Sequence, residues 1–282
     1  MKKILILILS LLSVAVYSST YYVSPYTGND AHSGLDTTNA WATWQKGFQT
    51  LEAGDSLLVM DGVWYPSSVH STTAAIIVVA PYNTPHVGYD GTLANPIVVM
   101  NYPGSTPILD CKNVDVPTNY LTGISLARAN FWTIKGLTIR NVLQSQEATI
   151  YGFISSGCSN LTLENVTVYN IGGKGIVNYN AFQYEGYPEQ ADITTDTTRY
   201  INCDASYCMD SLGRNVGNVD FGNWSDGYWI NAQNSISYVI MTGCRAWMCS
   251  DDGWDVPTAC IMEIKNCWAF YNGHLTAGEG KG

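Results

Sequence analysis

Positive charge is scarce in this chain. Its 282 residues hold 13 lysines and arginines against 23 aspartates and glutamates, a formal net charge of −10. A nucleic-acid binder needs a basic footprint for phosphates, so that class is excluded. An acidic ligand poses a different difficulty, because like charges must be bridged by something positive. Paired cysteine spacing is missing too. Eight cysteines are present, but none forms a C-x-x-C pair, which argues against a zinc site. The four histidines (His32, His70, His86 and His274) share no ligand spacing and read as surface or core residues. Beyond the N-terminus no run is long and apolar enough to cross a membrane, so no span is predicted.

The one apolar run lies at the start. Lys2 and Lys3 precede Ile4 to Val16, and Val16-Tyr17-Ser18 offers a cleavage site. Residues 1–18 therefore read as a signal peptide, and the chain as secreted and extracellular. Residues 19–282 are long enough for one large domain, expected as a monomer.

What the chain has is a repeat. The segments TIKGLTIRN (133–141), TLENVTVYN (162–170), YINCDASYC (200–208), MTGCRAWMC (241–249) and EIKNCWAFYN (263–272) share one pattern. Each is an alternating strand, a Gly or Asn, then a second alternating strand. The turn residues are Gly136, Asn165, Asn202, Gly243 and Asn266, spaced by 29, 37, 41 and 23 residues. Period-2 alternation makes these units strands. A fixed unit with variable excursions predicts a solenoid, since stacked strands keep register while insertions become loops. Asn and Gly tolerate the left-handed conformation of a sharp bend, and stacked Asn side chains can bond along the axis. Cys203, Cys244 and Cys267 follow the turns and are expected to form an interior ladder. Cys208 and Cys249 occupy a second equivalent position, where the rung spacing admits a disulfide as well as free thiols.

An open solenoid end needs a cap. WATWQKGFQTLEAGD (41–55) supplies a candidate helix, with Thr43 as N-cap, Trp44, Phe48 and Leu51 at helical spacing, and Gly54 as its end. SLLVMDGVWY (56–65) is read as the first strands. The polar stretch from Tyr179 to Thr198 breaks the repeat and is read as a long excursion.

Few as the acids are, they cluster. CSDDGWD (249–255) holds Asp251, Asp252 and Asp255, and WSDGYWI (224–230) holds Asp226. The pairs S-D-G-Y and D-D-G-W read as one element on neighbouring coils, which brings Asp226 within a strand spacing of Asp251 or Asp252. The nearest arginine, Arg245, lies six residues from Asp251, and one cation cannot neutralise four charges. A hard divalent ion can, and calcium takes six to eight oxygens. A solvated acidic turn that binds nothing is the plainer alternative.

GCRAWMCSDDGWD followed by NCWAFYNG resembles the family 9 polysaccharide lyases, right-handed parallel β-helix enzymes of the pectate-lyase type. YYVSPYTGNDAHSG (21–34) and AGDSLLVMDGVWY (53–65) resemble the opening of the same family and of related β-helix proteins. The resemblance implies an all-β, right-handed parallel β-helix with an N-terminal helical cap. It implies that Asp226, Asp251, Asp252 and Asp255 bind calcium and that the ion neutralises the carboxylate of a pectate-like polyuronate. The C5 proton then becomes acidic, a base removes it, and the C4 group departs.

The chain departs from that family in two places. The family's base is a lysine in a G-D-G-N-G-F-K-like run after the N-C-W-A-F element, and this chain stops at HLTAGEGKG (274–282). Lys281 is in that neighbourhood without the surrounding motif. Relatives also carry a lysine where this chain has Asn231. The sequence thus reads as a lyase whose C-terminal part, with its base, lies beyond Gly282. Two further readings stand beside it: a calcium-dependent carbohydrate-binding β-helix, and a structural cell-surface β-helix without catalysis. Arg245 is the candidate for holding a substrate carboxylate, although alternation after Cys244 turns it outward.

Overall fold

The computed structural model describes residues 18–69, 74–79, 89–180, 196–213, 222–232, 237–257 and 260–273. Its strands form three sheets, all parallel. The first holds eight, from Thr20–Val23 and Ser56–Val59 to Ser237–Thr242 and Ile261–Lys265. The second holds seven, from Val63–Trp64 and Ile108–Asp110 to Asp204–Cys208, Arg245–Trp247 and Trp268–Phe270. The third holds six: Ala75–Val79, Tyr120–Ala127, Thr149–Ser156, Lys174–Asn180, Tyr228–Ala232 and Trp254–Asp255. The chain visits first, second and third sheet in turn and climbs one rung per circuit, so it is a parallel β-helix.

The repeat turns lie at the corner between first and second sheets. Gly136, Asn165, Asn202, Gly243 and Asn266 all have positive φ, between 51° and 67°. The bend does not interrupt the ladder, because each amide reaches the next coil: Gly136 N–H donates to Glu164 C=O at 2.9 Å, and Asn202 N–H to Thr242 C=O at 2.8 Å. Gly243 is glycine for a further reason. A Cβ there would meet the Asn202 side-chain oxygen at 2.3 Å. The Asn–Asn side-chain bond expected at this corner occurs at the next one, where Asn170 Nδ2 donates to Asn141 Oδ1 at 2.6 Å.

Side chains behind the turns fill the interior. Ile139, Val168, Ala205, Ala246 and Ala269 are register partners up the second sheet. Cys203 and Cys244 are fully buried, and Cys267 extends their ladder into the last described coil, accepting the Cys244 N–H at 3.3 Å. Cys208 and Cys249 are buried as free thiols. The helix Trp44–Thr50 caps the N-terminal end, and the Thr43 hydroxyl accepts the Lys46 N–H. The helix stops at Thr50, four residues before the expected Gly54, and Leu51 is already extended. Thr20–Val23 pairs with Ser56–Val59, so the first strand precedes the helix instead of following it. Tyr179 and Thr198 both belong to strands. The excursion is therefore shorter than the sequence suggests, and residues 181–195 lie outside the described part.

Candidate metal centre

The third sheet begins, on three successive coils, with one short element. It reads Gly173-Lys174-Gly175-Ile176, then Ser225-Asp226-Gly227-Tyr228, then Asp251-Asp252-Gly253-Trp254. Ile176 pairs with Tyr228, and Tyr228 with Trp254. Gly175 N–H donates to the Asp226 carbonyl and Gly227 N–H to the Asp252 carbonyl, both at 2.9 Å. Lys174, Asp226 and Asp252 therefore form one column, a strand spacing of ~4.8 Å apart. The glycines let the coil be thin here. A Cβ on Gly227 would stand 2.8 Å from the Ala246 Cβ, and one on Gly253 2.7 Å from the Ala269 Cβ.

Carboxylate oxygens of Asp226, Asp251 and Asp252 all lie within 4.8 Å of one another. Asp255 is outside this trio, on the strand Trp254–Asp255, yet its charge raises the pKa of Asp226 and Asp252. Burial and crowding push all three of the trio toward the protonated form. Asp251 is raised to about 7, by burial first and then by the charges of Asp226 and Asp252. Asp226 is raised by burial, with Lys174 acting the other way. Asp252 is raised by burial and then by Asp255. A carboxylate trio under this pressure is a donor set that suits a hard divalent cation, which supplies the missing positive charge to oxygen ligands.

The acids have a basic partner that the sequence reading does not give them. The Lys174 ammonium pairs with the Asp226 carboxylate, both groups being buried. Trp224 and Trp229 lie 5.0 and 5.1 Å from it. A fifth acid also stands here. Asp210 is buried, and its Oδ1 accepts the Ser225 hydroxyl at 2.9 Å. Burial raises its pKa. Both were visible as repeats in hindsight: K-G-I aligns with D-G-Y and D-G-W, and Cys208-Met209-Asp210 with Cys249-Ser250-Asp251.

The other residues singled out fall elsewhere. Arg245 does turn outward, and its guanidinium is committed to Asp204, with Nε to Oδ1 at 2.7 Å and a terminal nitrogen to Oδ2 at 2.5 Å. Asn231 is buried on the strand Tyr228–Ala232. Lys281 lies outside the described residues, as does the whole of 1–17.

A family model described as Pel9A-like, right handed beta helix region, matches residues 21–282. The chain belongs to the Pel9A-like right-handed β-helix family. Among solved structures, this Pel9A-like chain is similar to a rhamnogalacturonan lyase, at 23% identity and a TM-score of 0.68 over 92% of its length. It is also similar to pectate lyase Pel9A, at 21% identity and a TM-score of 0.62 over 96% of its length. In both cases it spans 59% of the other chain. No curated protein matches. The right-handed parallel winding read from the sequence is the family's own.

Proposed function

We propose that this chain is the β-helix of a secreted, calcium-dependent polysaccharide lyase acting on pectate or a related polyuronate by β-elimination. The observation that carries the reading is the carboxylate trio of Asp226, Asp251 and Asp252, drawn together on adjacent coils with raised pKa values. Asp226, Asp251 and Asp252 would hold the ion, with Asp255 contributing from the next strand. Bound calcium would supply the positive charge that lets an acidic protein hold an acidic sugar and would act as the Lewis acid on its carboxylate.

The chain's own residues fix the rest. The strand ladder sets the spacing of Asp226 and Asp252, and Gly227 and Gly253 beside them fit where the second sheet leaves no room for a Cβ. Lys174 pairs with Asp226. Because its ammonium is tied to that carboxylate beside two indole rings, Lys174 is not the group that takes the C5 proton. We assign that proton to a base outside the described residues. The chain is expected to bind polygalacturonate in the presence of calcium, and loss of the general base would cost roughly 10²–10⁴-fold in turnover.

Calorimetric titration with calcium tests the site. Wild type should bind and Asp251→Ala should bind far more weakly; equal affinities would remove the assignment. Lyase chemistry is tested by the absorbance of unsaturated product with calcium. No product, on polygalacturonate or rhamnogalacturonan, would favour the alternative of calcium-dependent carbohydrate binding without cleavage.

A further inference from the structure

Lys174 and Asp210 share a cavity. It holds about 20 Å³ and is lined by them with Tyr151, Gly173 and Trp224 among others, room for about one water. On one side of Lys174 is Asp226, to which its ammonium is paired. Across the cavity wall it shares with Lys174 stands Asp210, a carboxylate only 2% exposed. The Asp210 Oδ1 is satisfied by Ser225, and its Oδ2 is buried with no hydrogen-bond partner among the described residues. A buried carboxylate oxygen left bare is costly, and native structures keep few of them.

This arrangement makes sense if the lysine has two places to go. An ammonium on a flexible four-carbon stem is a point charge with no planar geometry to satisfy. A divalent cation taking up Asp226 would repel the ammonium beside it. We propose that Lys174 is the internal counter-ion of the metal centre, paired with Asp226 while the site holds no ion and passed to Asp210 when a divalent cation takes Asp226. Asp210 is then the acceptor that keeps the displaced charge paired inside the protein. The inference deepens the calcium reading and rests on it. Lys174 competes for the ligand and Asp210 relieves the competition, so the two together set the calcium affinity.

The test is calorimetric calcium titration of wild type, Lys174→Met, Lys174→Arg, Asp210→Asn and the Lys174→Met/Asp210→Asn double variant, each checked for folding by circular dichroism. Lys174→Met removes the competitor and should bind calcium roughly tenfold more tightly, about 1.4 kcal/mol. Lys174→Arg keeps the charge and should stay near wild type. Asp210→Asn removes the acceptor and should weaken binding several-fold, and that loss should shrink in the Lys174→Met background. A Lys174→Met chain that binds as wild type does, or more weakly, overturns the proposal while leaving the metal centre standing. So does an Asp210→Asn loss of full size in both backgrounds, which would make Asp210 an ordinary ligand. If neither wild type nor Lys174→Met binds calcium, the metal reading falls first and the inference with it. Should Lys174→Met not fold, the Lys174 side-chain NMR signals of wild type, identified by their loss in Lys174→Arg, decide the matter. They should shift on adding calcium, and unmoved signals would overturn the proposal.

Discussion

Asp251 carries a proton in the folded, metal-free chain up to about pH 7, whereas an unfolded aspartate gives it up near pH 4. Between those values the folded state binds the extra proton. Stability from this group is therefore present below about pH 4 and is lost as pH rises toward 7. The expected observation is a melting temperature, measured with chelator present, that falls across this window, and falls less steeply in Asp251→Asn. Calcium should reverse the trend, because it favours the ionised form. A second residue-scale expectation concerns Asp110. It is buried and accepts Arg140 Nε and a terminal nitrogen, both at 2.8 Å, and Asn141 Nδ2 at 2.7 Å. Removing it leaves the Arg140 guanidinium with the Tyr169 hydroxyl but no counter-charge from Asp110, and takes away the acceptor of the Asn141 amide. Asp110→Ala should cost about 3 kcal/mol in denaturant unfolding, with calcium affinity unchanged because the pair stands on the second sheet. A cost below 1 kcal/mol would show that water replaces the carboxylate.

The element that matters for the site is the x-Asp-Gly turn at the head of the third sheet. The glycine after its aspartate stands where the second sheet leaves no room for a Cβ. Gly227→Ala would place a Cβ 2.8 Å from both the Ala246 Cβ and the Gly253 carbonyl oxygen, and backbone oxygen cannot step aside. Overpacking of this kind costs about 1–3 kcal/mol. The variant should melt lower and, since the strain displaces the residue next to Asp226, bind calcium more weakly. Adding Ala246→Gly relieves one of the two clashes and should recover part of the affinity. If the single variant binds calcium as wild type does, the thin coil is not what positions Asp226.

For the whole molecule the governing quantity is the charge of −10. Facing a polyuronate, that charge makes a neutralising ion a condition of contact. Polygalacturonate binding should be undetectable in chelator and appear with calcium. Binding that persists in chelator would place the polysaccharide site away from the acids. Calcium should also stabilise the fold by mass action, by about 2.7 kcal/mol at a hundred times its Kd, which for a chain of this size is a rise in melting temperature of roughly 5 °C. Asp251→Ala should lose most of that rise.

Local pattern was enough for the β-helix itself. Alternation, the Asn and Gly corners and the cysteine column are properties of each coil, and a stacked fold repeats them at a fixed place, so aligning the segments against one another already placed Cys203 over Cys244 and paired S-D-G-Y with D-D-G-W. The helical cap was legible for the same reason, down to Thr43. The partner of the acids was not. Lys174 is 52 residues from Asp226 along the chain, and it meets that carboxylate only because one lengthened circuit of the solenoid returns the chain to the next rung of the same sheet. Charge balance in a buried site depends on which side chains the stacking brings into one low-dielectric volume, and loops of unequal length conceal that from a linear reading. Arg245 shows the converse. Near the acids in sequence, it is carried outward by strand alternation to Asp204, 41 residues away in the chain and one rung away in the sheet.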